Sequence, residues 1–332
     1  MPALPPPGAD DVLYLVDIAG WIHRAFHAMP PLTAPNGEPT GATSGVAGAL
    51  VRLLIDRLPA YLAVAMDPPG PGFRRELFPA YKAARPPPHP DLGPQIARVR
   101  QLVEAHRIPV FEVPGFEADD AIAAATRRAL AVGLRVVIVA QDKDLAQLVG
   151  DRVVLWDGRD RVTGPEEVRG RWGVGPELLG DLLALAGDAV DGVPGVPGIG
   201  AKTAADLLQR RGSLEEVLRK ADWEPSRTMR AKLRRYAEEA RLSRKLVELR
   251  ADAPIPFDLA ALCVGWGDPA PIRDLYEQLG LRRLASEVVR LDKVLRTLDQ
   301  GPSAPALPRV ATPDLSADRG AEDPGRDPGS GD

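Results

Sequence analysis

One cysteine, Cys263, is all the thiol that this 332-residue chain contains. A lone cysteine excludes an internal disulfide framework. Long apolar runs are missing too: no stretch approaches the length of a membrane span, and the N-terminal Met-Pro-Ala-Leu-Pro-Pro-Pro-Gly has neither a basic nor an apolar region of a secretory signal. These absences lead to the expectation of a soluble, cytoplasmic protein with no membrane partner. There is no internal repeat, and no net positive charge. The formal charge is −4 at pH 7, which, if spread evenly, would argue against a nucleic-acid partner. It is not spread evenly. Between residues 202 and 250 fourteen Lys and Arg face eight Asp and Glu, an excess of +6, and residues 73–85 carry Arg74, Arg75, Lys82 and Arg85 against Glu76 alone. Both segments are candidate phosphate-contacting surfaces.

The most informative stretch is 115–144, which holds five carboxylates in two groups, Glu117, Asp119 and Asp120, then Asp142 and Asp144. Periodicity predicts a helix over 118–132 and a buried strand over 136–140, so both groups sit at element ends. Acids in a first helical turn complement the helix dipole, and Asp-Lys-Asp is an ordinary turn sequence, so neither group alone implies chemistry. Other acids fall at equivalent places, however. Asp17 follows the apolar run 12–16, and Asp67 follows 61–66. In an open parallel sheet the carboxyl ends of the strands form one edge, where ligands bind. Asp188 and Asp191 follow a predicted helix over 176–186 and bring the candidates to nine. Carboxylates crowded together repel unless cations lie between them. With no Cys or His cluster nearby, all-oxygen ligation points to magnesium or manganese rather than zinc.

The chain length accommodates one large domain or two moderate ones. Residues 1–11 read as a disordered leader. Strand 12–16, helix 44–58 and strand 61–66 form a βαβ unit, and helix 92–106 and strands 109–113, 136–140 and 153–156 extend it into a mostly parallel, doubly wound α/β sheet. Between two Pro/Gly breaks lies 73–85, a basic and aromatic segment that could clamp a substrate over the acidic edge. Phe73, Leu77 and Phe78 form its candidate buried side, Tyr81 could stack on a base, and Lys82 and Arg85 could meet a phosphate. No strand is predicted after 157. From 164 the chain reads as helical, with a basic helix over 229–249, two helical stretches over 271–295 and a disordered tail over 298–332. The sequence Gly195-Val-Pro-Gly198-Ile-Gly200-Ala-Lys202-Thr203 approaches a P-loop, but Lys202 stands one residue late and no strand precedes it, which excludes nucleotide binding. A glycine turn leading into a helix instead offers backbone N–H groups to a DNA phosphate, as a helix-hairpin-helix does.

On these residues the chain resembles the flap endonuclease or 5′ to 3′ exonuclease family, and is most similar to the N-terminal nuclease domain of bacterial DNA polymerases of type I. The resemblance is carried by Leu-Val-Asp17, Arg24-Ala-Phe-His-Ala, Phe73-Arg-Arg-Glu-Leu-Phe, Tyr81-Lys82-Ala-Ala-Arg85, Glu117-Ala-Asp119-Asp120, Asp142-Lys-Asp144, Gly187-Asp-Ala-Val-Asp191 and the glycine hairpin. It extends from about 12 to about 291. It implies a PIN-like catalytic domain over 12–163 with a helical arch, and an all-helical helix-hairpin-helix domain over 164–297. The implied activity is a structure-specific 5′ nuclease, both 5′ to 3′ exonuclease and 5′-flap endonuclease, acting in replication or repair through two Mg²⁺ or Mn²⁺ ions. Asp17, Asp67, Glu117 and Asp119 would surround the first ion and Asp142, Asp144 and Asp188 the second, with Asp120 and Asp191 acting directly or through water. Lys82 and Arg85 match phosphate contacts on the arch, and Tyr81 and Arg24 match auxiliary substrate contacts. Gly195, Gly198, Gly200, Lys202 and Thr203 would hold duplex DNA, with K⁺ at the hairpin. The substrate would be branched or 5′-ended DNA, or an RNA–DNA hybrid. The protein would be a freestanding, nucleoid-associated monomer that works beside a separate DNA polymerase or ligase. Ile18-Ala19, Gln141 and Gly192 depart from the residues usual in the family, and none of these changes removes a carboxylate. The competing readings are a non-catalytic protein that binds branched DNA and a nuclease acting mainly on RNA.

Overall fold

The computed structural model describes residues 2–264 and 268–299, and of residues 292–299 only the backbone. Its centre is a six-stranded sheet in the order β3-β2-β1-β4-β5-β6, formed by β1 (Val12–Asp17), β2 (Tyr61–Ala65), β3 (Val110–Phe111), β4 (Arg135–Val139), β5 (Val153–Trp156) and β6 (Val162–Thr163). The first five run parallel. Strand β6 pairs antiparallel with β5, a short return that the sequence reading missed because two residues carry no alternation to read. Every residue of β1 and β2 is buried, as expected of parallel strands covered on both faces.

Alternation along the strands divides the core. Leu13 and Leu15, with Ala63, Ala65, Val136 and Ile138, face α5 (Ala118–Ala131), whose Ala121, Ala124, Ala125 and Ala129 let it lie close to the sheet. Val12, Tyr14 and Val16, with Leu62, Val64, Val137 and Val139, face α1 (Ile18–Ala28), α2 (Gly41–Arg57) and α4 (Leu92–Ala105) on the other side. Between β2 and α4 the segment expected to form a helical arch has one short helix, α3 (Phe73–Leu77), followed by turns through Arg85.

After β6 come α6 (Pro165–Trp172), α7 (Pro176–Ala186), α8 (Ala201–Arg211), α9 (Leu214–Arg219), α10 (Arg227–Arg235) and α11 (Ala237–Val247). Helix α7 buries Leu179, Leu182, Leu183 and Leu185 against its neighbours in the same cluster that holds α5 and the sheet face. The helical part therefore shares a core with the sheet. The basic helix expected over 229–249 is two helices, broken where Tyr236 leaves helical geometry at φ −109°, ψ 24°. The break lets Leu233 and the apolar side of α11 (Ala240, Leu246, Val247) each find buried positions that one straight helix would not supply. Helices α12 (Leu259–Leu262), α13 (Ala270–Gln278) and α14 (Arg282–Asp299) complete the described residues. Residues 300–332, most of the expected disordered tail, lie outside the described residues. The leader, expected to be disordered, instead runs along α2. Gly8 N–H donates to Arg57 O, the Arg57 guanidinium donates to Pro5 O, and Leu4 and Ala9 pack on the outer cluster. Among the described residues no helix is long and apolar enough to cross a membrane.

Helix α13 is tied to α4 through a buried contact, His106 Nε2 to Tyr276 Oη at 2.8 Å. Burial lowers the His106 pKa to about 4 from an ordinary 6.5. The folded state therefore keeps this ring neutral while the unfolded chain protonates it below 6.5. The stabilisation is complete above that pH and is lost as pH falls toward 4, by about 2 to 3 kcal/mol. In urea denaturation the stability advantage of wild type over His106→Gln should shrink by about that amount between pH 7 and 4.5. An advantage independent of pH would refute this reading.

Candidate functional site

The strand order reverses direction at β1, which has β2 on one side and β4 on the other. This is the position at which an open α/β sheet forms a crevice at its carboxyl edge. Asp17 is the last residue of β1, Asp67 stands two residues past β2, and Asp142 three past β4. Asp17 caps α1, its Oδ1 accepting the Gly20 N–H at 3.0 Å, and a Cβ on residue 20 would stand 2.5 Å from Asp17 Oδ2. Asp67 Oδ1 accepts the Ala118 N–H at 2.8 Å and so locks the end of β2 to the start of α5. Glu117 and Asp119 flank that start, which turns the acidic N-terminus of the helix toward the ends of β1 and β2.

The electrostatics record the crowding. Burial raises the Asp17 pKa to about 6, and Asp67 and Asp142 push it the same way. Asp119 is driven well above the usual carboxylate range, by desolvation first and then by Asp142, Asp17 and Asp67. Asp144 rises to about 6, from burial and then Asp142. Four of the nine acids are thus mutually repelling neighbours at one edge. A second set is held by cations. Lys82 Nζ lies 3.0 Å from Glu117 Oε1, and Arg85 pairs with Asp191 Oδ1. Lys143 Nζ lies 2.6 Å from Asp188 Oδ2 and 3.2 Å from Asp144 Oδ1. Desolvation opposes ionisation of Asp188, but the Lys143 hydrogen bond and charge outweigh it and hold the group below its ordinary value.

Among the described residues no three of these side chains already converge as a closed metal cage. The donor set nevertheless fits a hard, oxygen-seeking cation. All donors are carboxylates, three are pushed toward protonation by burial and by neighbouring carboxylates, and the buried Asp144 Oδ1 has no hydrogen-bond partner. A divalent cation is what would let them all ionise together.

The clamp segment differs from expectation. Tyr81 does not present its ring for stacking. It is 6 % exposed, lies in the core, and donates its hydroxyl to Glu117 Oε2 at 3.1 Å. Leu77, expected to be buried, is 44 % exposed, whereas Arg74, counted with the basic surface, is 2 % exposed. Arg74 donates to Asp120 Oδ1 and Oδ2 at 2.7 and 2.6 Å, to Leu246 O at 2.7 Å and to Glu248 O at 2.6 Å. Asp120 also accepts the N–H groups of Glu117 at 3.0 Å and Arg250 at 2.9 Å. With its two oxygens committed to four donors and no exposed surface, Asp120 is a structural tie and not the metal-facing or catalytic acid the sequence reading made of it. Nothing in the sequence around Arg74 distinguished it from Arg75.

Two glycines explain how the clamp and the hairpin come close. Gly192 has φ +71°, and a Cβ there would stand 2.9 Å from Ala80 O, beside the place where Lys82 N–H donates to Asp191 O at 2.8 Å. Gly195, at φ +60°, passes Gly187 so closely that a Cβ would lie 2.5 Å from the Gly187 nitrogen. Gly195 N–H is held by Ser243 Oγ at 2.9 Å, a contact not visible in the sequence. Gly198 is approached by Lys232, whose Nζ reaches Gly198 O at 3.5 Å. Gly200 caps α8, with Lys202 and Thr203 in its first turn and Lys202 exposed. Arg24 lies apart from the hairpin in a groove of about 800 Å³ between α1, α2 and the turn after β5, with Trp21, Arg52 and Arg159. Its Nη1 donates to Asp157 O at 3.3 Å.

Comparison with known proteins gives the same architecture a lineage. A family model for the 5′-3′ exonuclease N-terminal resolvase-like domain matches residues 12–173, and one for the 5′-3′ exonuclease C-terminal SAM fold matches residues 174–269. A 5′-3′ exonuclease of Aquifex aeolicus is 36 % identical over 289 residues, covering 87 % of this chain and 98 % of that protein. DNA polymerase I of Rhizobium leguminosarum is 46 % identical over 261 residues, covering 76 % of this chain but only 26 % of the polymerase. Among solved structures, a bacteriophage T5 flap endonuclease crystallised with DNA and metal ions superposes with a TM-score of 0.61 at 19 % identity, over 85 % of this chain and 99 % of that one. At that identity the likeness is one of fold.

The Arg74–Asp120 tie yields a test. Asp120→Asn should leave a buried guanidinium undercompensated and lower stability by about 3 kcal/mol or more, read from the urea midpoint at unchanged slope. Arg74→Met combined with Asp120→Leu should cost less than the sum of the single changes. Stability within about 0.5 kcal/mol of wild type, together with lost metal binding, would return Asp120 to the metal site.

Proposed function

The chain belongs to the 5′-3′ exonuclease family, and on that premise we propose that it is a structure-specific 5′ nuclease that hydrolyses DNA phosphodiesters as an exonuclease at 5′ ends and an endonuclease at 5′ flaps. The observation that carries the proposal is the gathering of Asp17, Asp67, Asp119 and Asp142 at the carboxyl edge of the sheet, each raising or raised by its neighbours. Magnesium, or manganese in its place, is the proposed cofactor. Asp17, Asp67, Glu117 and Asp119 would hold one ion, Asp142, Asp144 and Asp188 a second, and Asp191 would act directly or through water. The chemistry that such ions would supply there is activation of a water and stabilisation of charge on the scissile phosphate and the leaving 3′ oxygen.

The chain's own groups do the rest. Lys82 and Arg85 occupy a segment bounded by glycine and proline, and each rests on an acid, Glu117 or Asp191. A phosphate entering the crevice competes with those carboxylates for the same cations. Once transferred to it, the ammonium and guanidinium neutralise its non-bridging oxygens and orient it for in-line attack. Tyr81 holds Glu117 in place from the core side, and Arg74 with Asp120 fixes the base of the segment. The hairpin amides at Gly198 and Gly200, with Lys202 and Thr203, are proposed to grip duplex phosphates without reading bases, and Arg24 to meet the strand in its groove. Further elements of the reading are a K⁺ ion at the hairpin, RNA–DNA hybrids as additional substrates, action as a monomer in the nucleoid beside a DNA polymerase or ligase, and domains of 12–163 and 164–297.

A 5′-labelled flap duplex tests the reading. Cleavage near the junction is expected with magnesium, none with chelator, and none from an Asp142→Ala, Asp144→Ala double variant. Lys82→Ala should lower kcat by about 10²-fold while leaving flap binding within a few fold. Wild type that binds the flap but cuts neither DNA nor hybrid, with magnesium or manganese, would replace the nuclease with a non-catalytic binder of branched DNA.

A further inference from the structure

Among the described residues four cations meet the nine acids; Arg74 reaches Glu117 from the core at 3.4 Å, and the other three are of two kinds. Lys82 and Arg85 come from the clamp segment, and a phosphate can draw them off their acids. Lys143 lies outside the clamp, between Asp142 and Asp144 in the loop that follows β4. Its ammonium makes a hydrogen bond to Asp188 Oδ2 at 2.6 Å. Toward Asp144 Oδ1, at 3.2 Å, it supplies charge without a hydrogen bond, for that buried oxygen has no hydrogen-bond partner. One positive charge thus joins two carboxylates from different parts of the fold, the loop after β4 and the loop between α7 and the hairpin, and leaves one of them unfilled.

We propose that Lys143 is a positioning residue for the Asp144–Asp188 pair, an internal counter-cation that keeps the two acids together in the empty site and competes with a divalent cation for them. The inference rests on the metal-dependent reading of the site. A compact dication compensates both carboxylates and the nearby Asp142 better than a single ammonium does, so exchange is electrostatically favoured. The exchange must still break the 2.6 Å bond, a cost particular to this half of the site; in the other half Asp17, Asp67 and Asp119 have no ammonium or guanidinium within ion-pair distance among the described residues, and the cations on Glu117 are Lys82 at 3.0 Å and Arg74 at 3.4 Å. The Lys143 side chain is 41 % exposed, so the displaced head has open water to enter. A lysine between two metal-site acids thereby sets the concentration at which the second ion enters, without touching the substrate.

The test is Mn²⁺ binding to the DNA-free full chain, followed through the loss of the free-ion paramagnetic resonance signal, for wild type, Lys143→Met, Lys143→Arg, Asp188→Asn and the Lys143→Met, Asp188→Asn pair. Removing the charge while keeping the stem should tighten the Mn²⁺ site that includes Asp144 and Asp188 about two- to fivefold, the scale of a part-exposed ion pair. Lys143→Arg, which keeps the charge, should not tighten it, and the gain should vanish in the Asp188→Asn background. Lys143→Gln provides a second neutral variant should Lys143→Met fold poorly. Equal or weaker Mn²⁺ binding in the neutral variants, with wild type binding normally, overturns this inference alone. Wild type that binds no Mn²⁺ overturns the metal reading and takes the inference with it.

Discussion

A guanidinium sealed from water at the meeting point of three segments is the contact on which the rest depends. Arg74 begins in the clamp, bonds both oxygens of Asp120 at the start of α5, and donates to the carbonyls of Leu246 and Glu248 at the end of α11. A charge this buried is tolerable only if every donor finds an acceptor. The requirement fixes the relative placement of the catalytic sheet, the clamp and the helical part, because displacing any one of them strands a charge. The carbonyls at the end of α11 also present the negative end of a helix dipole to the guanidinium, which suits its sign.

With that frame set, the acidic edge can hold more repulsion than the folded chain would otherwise bear. Asp17, Asp119 and Asp144 are all raised toward protonation by burial first and then by neighbouring carboxylates, Asp142 being common to all three. Functional sites commonly store unfavourable electrostatics of this kind, which a ligand then relieves. Lys82, Arg85 and Lys143 relieve it in part from within the chain. On the proposed mechanism the clamp residues and the loop lysine differ in what would displace them, a phosphate for the first two and a cation for the third, so substrate and metal would act on separate internal ion pairs.

The close approach that makes these pairs possible depends on backbone freedom. Lys82 has φ +54°, and it sits against Gly192, where any side chain would meet Ala80 O. Gly192 thus allows the clamp to dock on the Asp188–Asp191 loop.

The sequence by itself determined the parallel sheet, the placing of acids at strand ends and the helical second half with its glycine hairpin, because apolar runs, alternation and glycine turns are local signals. It assigned Asp17, Asp67, Glu117, Asp119, Asp142 and Asp144 to the sheet edge and Asp188 to a loop beyond it, and of these the fold makes Asp17, Asp67, Asp119 and Asp142 electrostatic neighbours. Only the tertiary structure decided that Arg74 is buried while Arg75 stays at the surface, that Asp120 faces a guanidinium and not its acidic neighbours, and that Tyr81 belongs to the core. It also split the basic helix at Tyr236 and drew the leader onto α2. The physical reason is one of range. Burial and ion pairing across 46 or 172 residues, as for Arg74 with Asp120 and with Leu246, depend on which surfaces meet, and no local pattern of residue types encodes that.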